Sequence, residues 1–233
     1  MKNNNQQPLN INQQEVGKYD PGNSPGRHPL GNRRRKSSVE EDSRRQSQFI
    51  VPSNFLVPYM KLFRRSSLIL ITRLGRDYSS KYHVRDLARS LNYDVSMVSK
   101  NLKQLEAMGL VTHEDVGNLV FYQANMKSVL LRHLKICLTL LELTDLITDL
   151  DQVTTNSFLY GSCAKGEDTY ESDIDLFLET HDKEAVRKIL ARHRRRITRE
   201  MSPIVNTPDE TYQLKATDKI LFDNIQQGIM LKG

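Results

Sequence analysis

Cysteine is scarce in this 233-residue chain: there are two, Cys137 and Cys163, in segments of different character and at no metal-ligand spacing. That excludes a disulfide framework and a cysteine-based zinc module, and it is the usage of a reducing compartment. Long apolar runs are missing as well. The most hydrophobic stretch, residues 129–150, is interrupted by Arg132, Lys135, Glu142, Asp145 and Asp149, so no membrane span is expected. The polar N-terminus lacks an apolar signal core, and the cytoplasm is the expected location. Residues 1–48 lack apolar periodicity altogether; rich in Asn, Gln, Pro, Gly, Ser and Arg, they read as a disordered basic tail.

Charge and length say more. Lys and Arg number 34 against 28 Asp and Glu, a net charge of +6, which favours a polyanionic partner. The tail runs Arg33-Arg34-Arg35-Lys36 and Arg44-Arg45 contribute to it, and a tail that serves only solubility would have the same composition. With 38% hydrophobic residues the chain can build one or two small domains, and two are expected.

Residues 49–125 begin helical. A helix is predicted from Phe55, capped by Ser53 or Asn54, with Leu62, Ile69, Leu70 and Ile71 toward a core. After a break at Gly75-Arg76-Asp77, Tyr82-His83-Val84 precedes a helix carrying Leu87, Ala88 and Leu91. Asn92-Tyr93 turns the chain. Asp94 then caps a helix in which Val95, Val98, Leu102 and Leu105 recur at helical spacing until Gly109 ends it. Residues 110–113 and 119–122, joined by Asp115-Val116-Gly117-Asn118, read as a hairpin.

Helix, turn, helix, hairpin is the order of a winged helix. The stretches His83-Val84-Arg85-Asp86-Leu87-Ala88, Ser96-Met97-Val98-Ser99-Lys100-Asn101-Leu102 and Leu105-Glu106-Ala107-Met108-Gly109-Leu110-Val111 resemble the winged helix-turn-helix of prokaryotic transcriptional regulators. The resemblance implies DNA binding, with the second helix of the pair in the major groove. Ser96, Met97, Ser99, Lys100 and Lys103 are then the DNA-facing residues, the polar ones for bases or phosphates and Met97 for a thymine methyl. The hairpin tip has no Arg or Lys, so a strong wing contact is not expected.

Residues 126–151 are predicted as one linking helix with two apolar stripes. Leu130, Leu134, Cys137 and Leu141 form one; Leu140, Leu143, Ile147 and Leu150 form the other. Two stripes need two packing partners, one the winged helix and the other either the second domain or the same helix of a second subunit; a homodimer is expected, since regulator dimers match two-fold half-sites.

Residues 152–233 hold the stretch with the clearest chemistry. Strand-like Ser157-Phe158-Leu159-Tyr160 runs into Gly161-Ser162, and after a spacer of ten residues stands Asp173-Ile174-Asp175-Leu176. Carboxylates at i and i+2 of a strand share one face. At about 4 Å and an effective dielectric near 20 they repel by roughly 4 kcal/mol, so the pair asks for a cation. The Gly-Ser turn offers backbone N–H groups to phosphate. Phosphate plus divalent metal is the site that charge alone implies.

Tyr160, Gly161, Ser162, Asp173, Ile174, Asp175 and Leu176, with residues 221–231 as a closing helix and strand, resemble the minimal prokaryotic branch of the polymerase-beta-like nucleotidyltransferases. The resemblance implies Mg²⁺-dependent transfer of a nucleoside monophosphate from a nucleoside triphosphate to an acceptor hydroxyl. Asp173 and Asp175 would be the catalytic, metal-holding pair; Gly161 and Ser162 would bind the triphosphate. Lys165 either adds positive charge there or is a solvated loop lysine. Cys163 stands where many relatives carry Arg, and Ser202 where the superfamily's third carboxylate stands. A serine hydroxyl is neutral and is no carboxylate base. Glu200 has the same strand parity as Ser202 and longer reach, which makes it the candidate substitute, and Pro203 points to an edge strand.

Two features remain around that strand. The run from Arg192 to Arg196, with Arg199, has three readings: a solvated helix end, a phosphate contact or a nucleic-acid surface. His181 and His193 have no partner at ligand spacing and read as surface residues. The expected fold class is α+β: an N-terminal winged helix domain, a long linking helix and a C-terminal nucleotidyltransferase α/β domain with a small mixed sheet. Three functions fit it. One is a DNA-binding transcriptional regulator whose second domain binds a Mg-nucleotide. Another is an active nucleotidyltransferase that the winged helix directs to a protein or RNA acceptor, and the third is an assembly module that has kept only the fold.

Overall fold

A computed structural model describes residues 60–233; the tail at 1–48 and the expected cap at Ser53 or Asn54 lie outside the described residues. The first helix, α1, is Arg65–Arg76, and Leu62 is buried in a separate 3₁₀ turn, Met60–Phe63. The helix predicted from Phe55 is therefore not continuous. Arg64 is extended, and the turn is closed by Arg64 N–H and Ser67 Oγ, both donating to the Lys61 carbonyl.

Strand β1 (Tyr82–His83), helix α2 (Val84–Leu91) and helix α3 (Val95–Ala107) follow, with Asn92 in the left-handed region at φ 54 between the helices. Asp94 accepts from the backbone N–H groups of Ser96 and Met97, the cap expected of it. Val95, expected in the core, is 43% exposed: as the first residue of α3 it precedes the buried stripe of Val98, Leu102 and Leu105. Strands β2 (Val111–Val116) and β3 (Leu119–Ala124) turn through Gly117-Asn118, and the sheet order is β1-β3-β2. Leu70, Leu74, Leu87, Leu102, Leu110 and Leu131 meet in one core, which makes this a winged helix.

The expected single linking helix is two, α4 (Val129–Glu142) and α5 (Thr144–Asp151), parted at Leu143. Thr144 Oγ1 donates to the carbonyls of Leu140 and Leu141, each at 3.1 Å, the kind of back-bonding that bends a helix. The bend serves two cores: Leu131 packs with the winged helix, while Leu143, Leu146 and Leu150 pack with the second domain. Most of the first predicted stripe faces outward, Leu134 alone of its four residues packing against the winged-helix core. Leu130 and Leu141 are 41% and 65% exposed and Cys137 is exposed, whereas the opposite face buries Leu131, Lys135 and Thr139.

The second domain comprises β4 (Asn156–Tyr160), α6 (Gly161–Lys165), β5 (Ile174–Glu179), α7 (Lys183–His193), β6 (Met201–Asn206), α8 (Pro208–Thr217), α9 (Lys219–Gln226) and β7 (Ile229–Lys232). Its sheet runs β6-β5-β4-β7, mixed because β5 and β6 are parallel and the other pairs antiparallel. One face packs Leu159, Leu176 and Leu178 against α5 and α7; the other packs Phe158 and Phe177 against Ile225 of α9. Pro203 sits on the edge strand, as its missing N–H requires. Helix α8 was not foreseen, although a capping box of Thr207 and Glu210 opens it.

Candidate functional site

Strand β4 ends at Tyr160, which lies in register with Asp175 of β5. Gly161 then takes φ +69, and a Cβ there would collide with the Asp175 carboxylate. Glycine is thus required twice, for the turn and for the close approach. Asp173 immediately precedes β5, and across the sheet Asp175 faces Ser202 of β6. Ser202 Oγ donates to Asp173 Oδ2 at 2.9 Å. Both acids are half-buried, and none of the described ion pairs involves either of them. Burial first, and the Asp173 charge second, push the Asp175 carboxyl above its ordinary value. Beneath them the fully buried Cys163 donates Sγ–H to the Asp173 carbonyl at 3.4 Å; burial raises its thiol pKa, so it is a neutral packing residue.

Other predicted residues fare differently. Ser162 is half-buried in the first turn of α6, and Lys165 is exposed at its end, with no described ion pair to either acid. Glu200 is not a substitute third acid. Its exposed side chain pairs with Arg194 at 3.8 Å, and only its backbone carbonyl reaches the strand, accepting from Ile174 N–H. Among the described residues no third Asp, Glu, His or Cys completes a metal-ligand group. His193 is 4% exposed rather than on the surface, bonded to Asp149 Oδ2 of α5 at 2.6 Å. Arg192, Arg194 and Arg196 are exposed and paired with Asp149, Glu200 and Asp145.

Arg199 leaves that group. Buried, it donates to Asp168 Oδ2 and Glu142 Oε2, both at 3.0 Å, and to Thr139 Oγ1 at 3.2 Å. Arg76 also donates to Glu142 at 3.0 Å, and Lys135 Nζ donates to the carbonyls of Gly75 and Asp168, each at 2.6 Å. Sequence reasoning missed this cluster. The available signal was Lys135, Thr139 and Glu142 at i, i+4 and i+7, a polar stripe on a largely apolar helix.

On α3, Ser96, Lys100 and Lys103 are exposed, and Met97 and Ser99 half-buried. Met97 Sδ accepts from Asn101 Nδ2, which also donates to Ser66 Oγ of α1. The Ser96 hydroxyl is bonded to Asp94, so the two lysines are the open polar groups of this face.

By fold and site, this is an α+β protein in which a winged-helix arrangement of elements is followed by a C-terminal domain built on a small mixed sheet. Residues 141–233 match the family model described as polymerase beta, nucleotidyltransferase; the match starts within α4 and takes in α5, in keeping with the packing of Leu143, Leu146 and Leu150. None of the curated proteins matches the chain. Similar solved structures include the AntR antimony-specific transcriptional repressor, 24% identical over 50% of this chain and 92% of that one, with a TM-score of 0.33. HlyU from Vibrio cholerae N16961 is 21% identical over 36% of this chain and 88% of its own, with a TM-score of 0.31. The homodimeric winged helix-turn-helix DNA-binding domain Mb0332 from Mycobacterium bovis is 17% identical, over 49% and 92%, with a TM-score of 0.31. No described helix is long and apolar enough to cross a membrane.

Proposed function

We propose that this protein is a cytoplasmic, DNA-binding transcriptional regulator whose nucleotidyltransferase-like domain binds a Mg²⁺-nucleotide with little turnover. The observation that carries the reading is an Asp173 and Asp175 pair with no cation partner among the described residues, beside a serine where a third acid would stand. The donor set fits Mg²⁺, which takes one or two carboxylates plus substrate phosphates. Asp173 and Asp175 would hold the ion, which when bound supplies charge neutralisation to a triphosphate. Gly161 leaves room for the Asp175 carboxylate, Ser162 and Lys165 would take phosphate oxygens, and Ser202 orients Asp173. Among the described residues no further Asp, Glu, His or Cys joins the pair in a group of three, which favours binding over transfer.

A thermal melt tests the site. A nucleotide with Mg²⁺ at 100 times its dissociation constant is expected to add roughly 2.7 kcal/mol of stability, and Asp173→Asn to abolish the gain. An equal gain in EDTA would sink the metal half of the reading.

DNA binding rests on the winged-helix element order and on Lys100 and Lys103 exposed along α3. Anisotropy with a labelled random duplex library is expected to show salt-sensitive binding, and Lys100→Glu to weaken it across sequences and lower the salt slope by about 1. Absence of binding at any salt concentration rules the reading out. The outward stripe of Leu130, Cys137 and Leu141 supports a homodimer through α4, which would present two α3 helices to two half-sites. The complete Gly161-Ser162 and Asp173-x-Asp175 constellation favours a second reading, transfer of a nucleoside monophosphate to a protein or RNA acceptor selected by the winged helix.

A further inference from the structure

We infer that the buried charge cluster couples the carboxylate site to the DNA-reading domain, so that nucleotide occupancy and DNA affinity change each other. The inference rests on the binding reading given above for both sites.

The loop between Lys165 and Asp173 is fastened to the winged helix at several points. Its Asp168, 1% exposed, meets Arg199 at 3.0 Å and Arg76 and Lys135 at 3.5 Å. Tyr170 N–H donates to the Arg76 carbonyl at 3.3 Å, and the Arg73 guanidinium lies over the rings of both Tyr170 and Tyr82. Gly166, at φ +67, is pressed so closely on α4 that a Cβ would collide with the Arg132 backbone.

The same cluster reaches the carboxylates. Arg199 Nη1 contacts Cys163 Sγ at 3.4 Å, and Cys163 Sγ bonds the Asp173 carbonyl. One residue on from Arg199, the Glu200 carbonyl holds Ile174 N–H at 2.8 Å. A continuous series of contacts therefore runs from Asp173 through Cys163, Arg199 and Asp168 to Arg76 of α1. From α1, Ser66 is bonded to Asn101 in the middle of α3. Coupling of this kind needs a contiguous network and an element that both sites bias; the 166–172 loop touches α1 directly and reaches Asp173 through Arg199 and Cys163.

The cluster's charge makes the loop responsive. Three cations, Arg76, Lys135 and Arg199, are opposed by two anions, Glu142 and Asp168, in a region where solvent and salt screen little. Among the described residues, Asp168 Oδ1 and Arg199 Nε have no hydrogen-bond partner. Placing a divalent cation and a polyanionic nucleotide at Asp173 and Asp175 changes the field on a set of buried charges that is already imperfectly matched. The position of α1, which carries α3, is the degree of freedom that can respond.

The test measures the affinity of the full chain for a duplex selected from the random library, in Mg²⁺ alone and with saturating ATP or GTP. The dissociation constant is expected to shift by about fivefold or more, and DNA must shift nucleotide affinity by the same factor. Arg76→Gln is expected to keep both ligands and lose the shift. If Arg76→Gln proves unfolded by its melt, Glu142→Gln, which removes the anion shared by Arg76 and Arg199, takes its place with the same expectation. A wild-type shift of one with both ligands bound overturns the coupling alone, as does an unchanged shift in the variant. If neither nucleotide raises the melting temperature, the binding reading falls, and the coupling with it.

Discussion

Replacing Asp168 with alanine is expected to lower the unfolding free energy by about 3–5 kcal/mol, the usual cost of leaving buried charges uncompensated. The Asp168 carboxylate is almost fully enclosed and is shared by Arg199, Arg76 and Lys135. Without it those three cations face Glu142 alone, and burial already lowers the Lys135 pKa against the pull of Asp168. Urea unfolding followed by circular dichroism reads the loss as a fall in midpoint. The exposed pair of Arg196 and Asp145, 3.4 Å apart, provides the contrast: Arg196→Ala is expected to leave the midpoint where it is, because solvent screens it. A small effect of Asp168→Ala would mean that water enters the cluster and that the two domains are less firmly joined than the contacts imply.

Ser202→Asp is expected to raise nucleotide turnover by about 10²–10⁴-fold, the contribution of a positioned general base. Position is the argument. Ser202 faces Asp175 across β5 and β6 and its hydroxyl is 2.9 Å from Asp173, so an aspartate there would join both acids on the same sheet edge. Pyrophosphate release from a nucleoside triphosphate with Mg²⁺ reads the gain. A third negative charge beside Asp175, whose carboxyl is already pushed up by burial and by Asp173, should lower stability without metal and restore it when Mg²⁺ is added. The sign follows from the raised folded pKa: at neutral pH the charged group costs stability, and that cost is relieved as pH falls through its pKa. If the variant binds Mg²⁺-nucleotide yet turns over no faster, the missing acid is not what limits the site, and the active-transferase reading loses its simplest rescue.

Much of this architecture was legible because its determinants act over a few residues. Asp94 caps α3, Asn92 and Gly117-Asn118 turn the chain, and Gly109, at φ 70, follows the end of α3, each through its own backbone chemistry. Strand parity puts Asp173 and Asp175 on one face, and Pro203 marks an edge. The capping box at Thr207 and Glu210 belongs to the same local class and was legible too.

Other features are tertiary. Nothing within a helical turn of Lys135 says that its ammonium will cap the Gly75 carbonyl, 60 residues away, or that Arg199 will reach Thr139 at the same separation. Amphipathic periodicity locates two stripes on the linking segment but cannot say which one meets a core, so Leu141 lies outward and Thr139 inward. Glu200 has the right parity, yet it lies just before β6 begins, where Arg194 draws its side chain outward. The sequence by itself therefore determined most of the elements, though not the breaks at Arg64 and Leu143, together with the Gly161-Ser162 and Asp173-x-Asp175 constellation and the serine at position 202. Only the tertiary structure decided which charges are buried and what joins that constellation to the winged helix, because a charge is buried only where distant partners offset its desolvation.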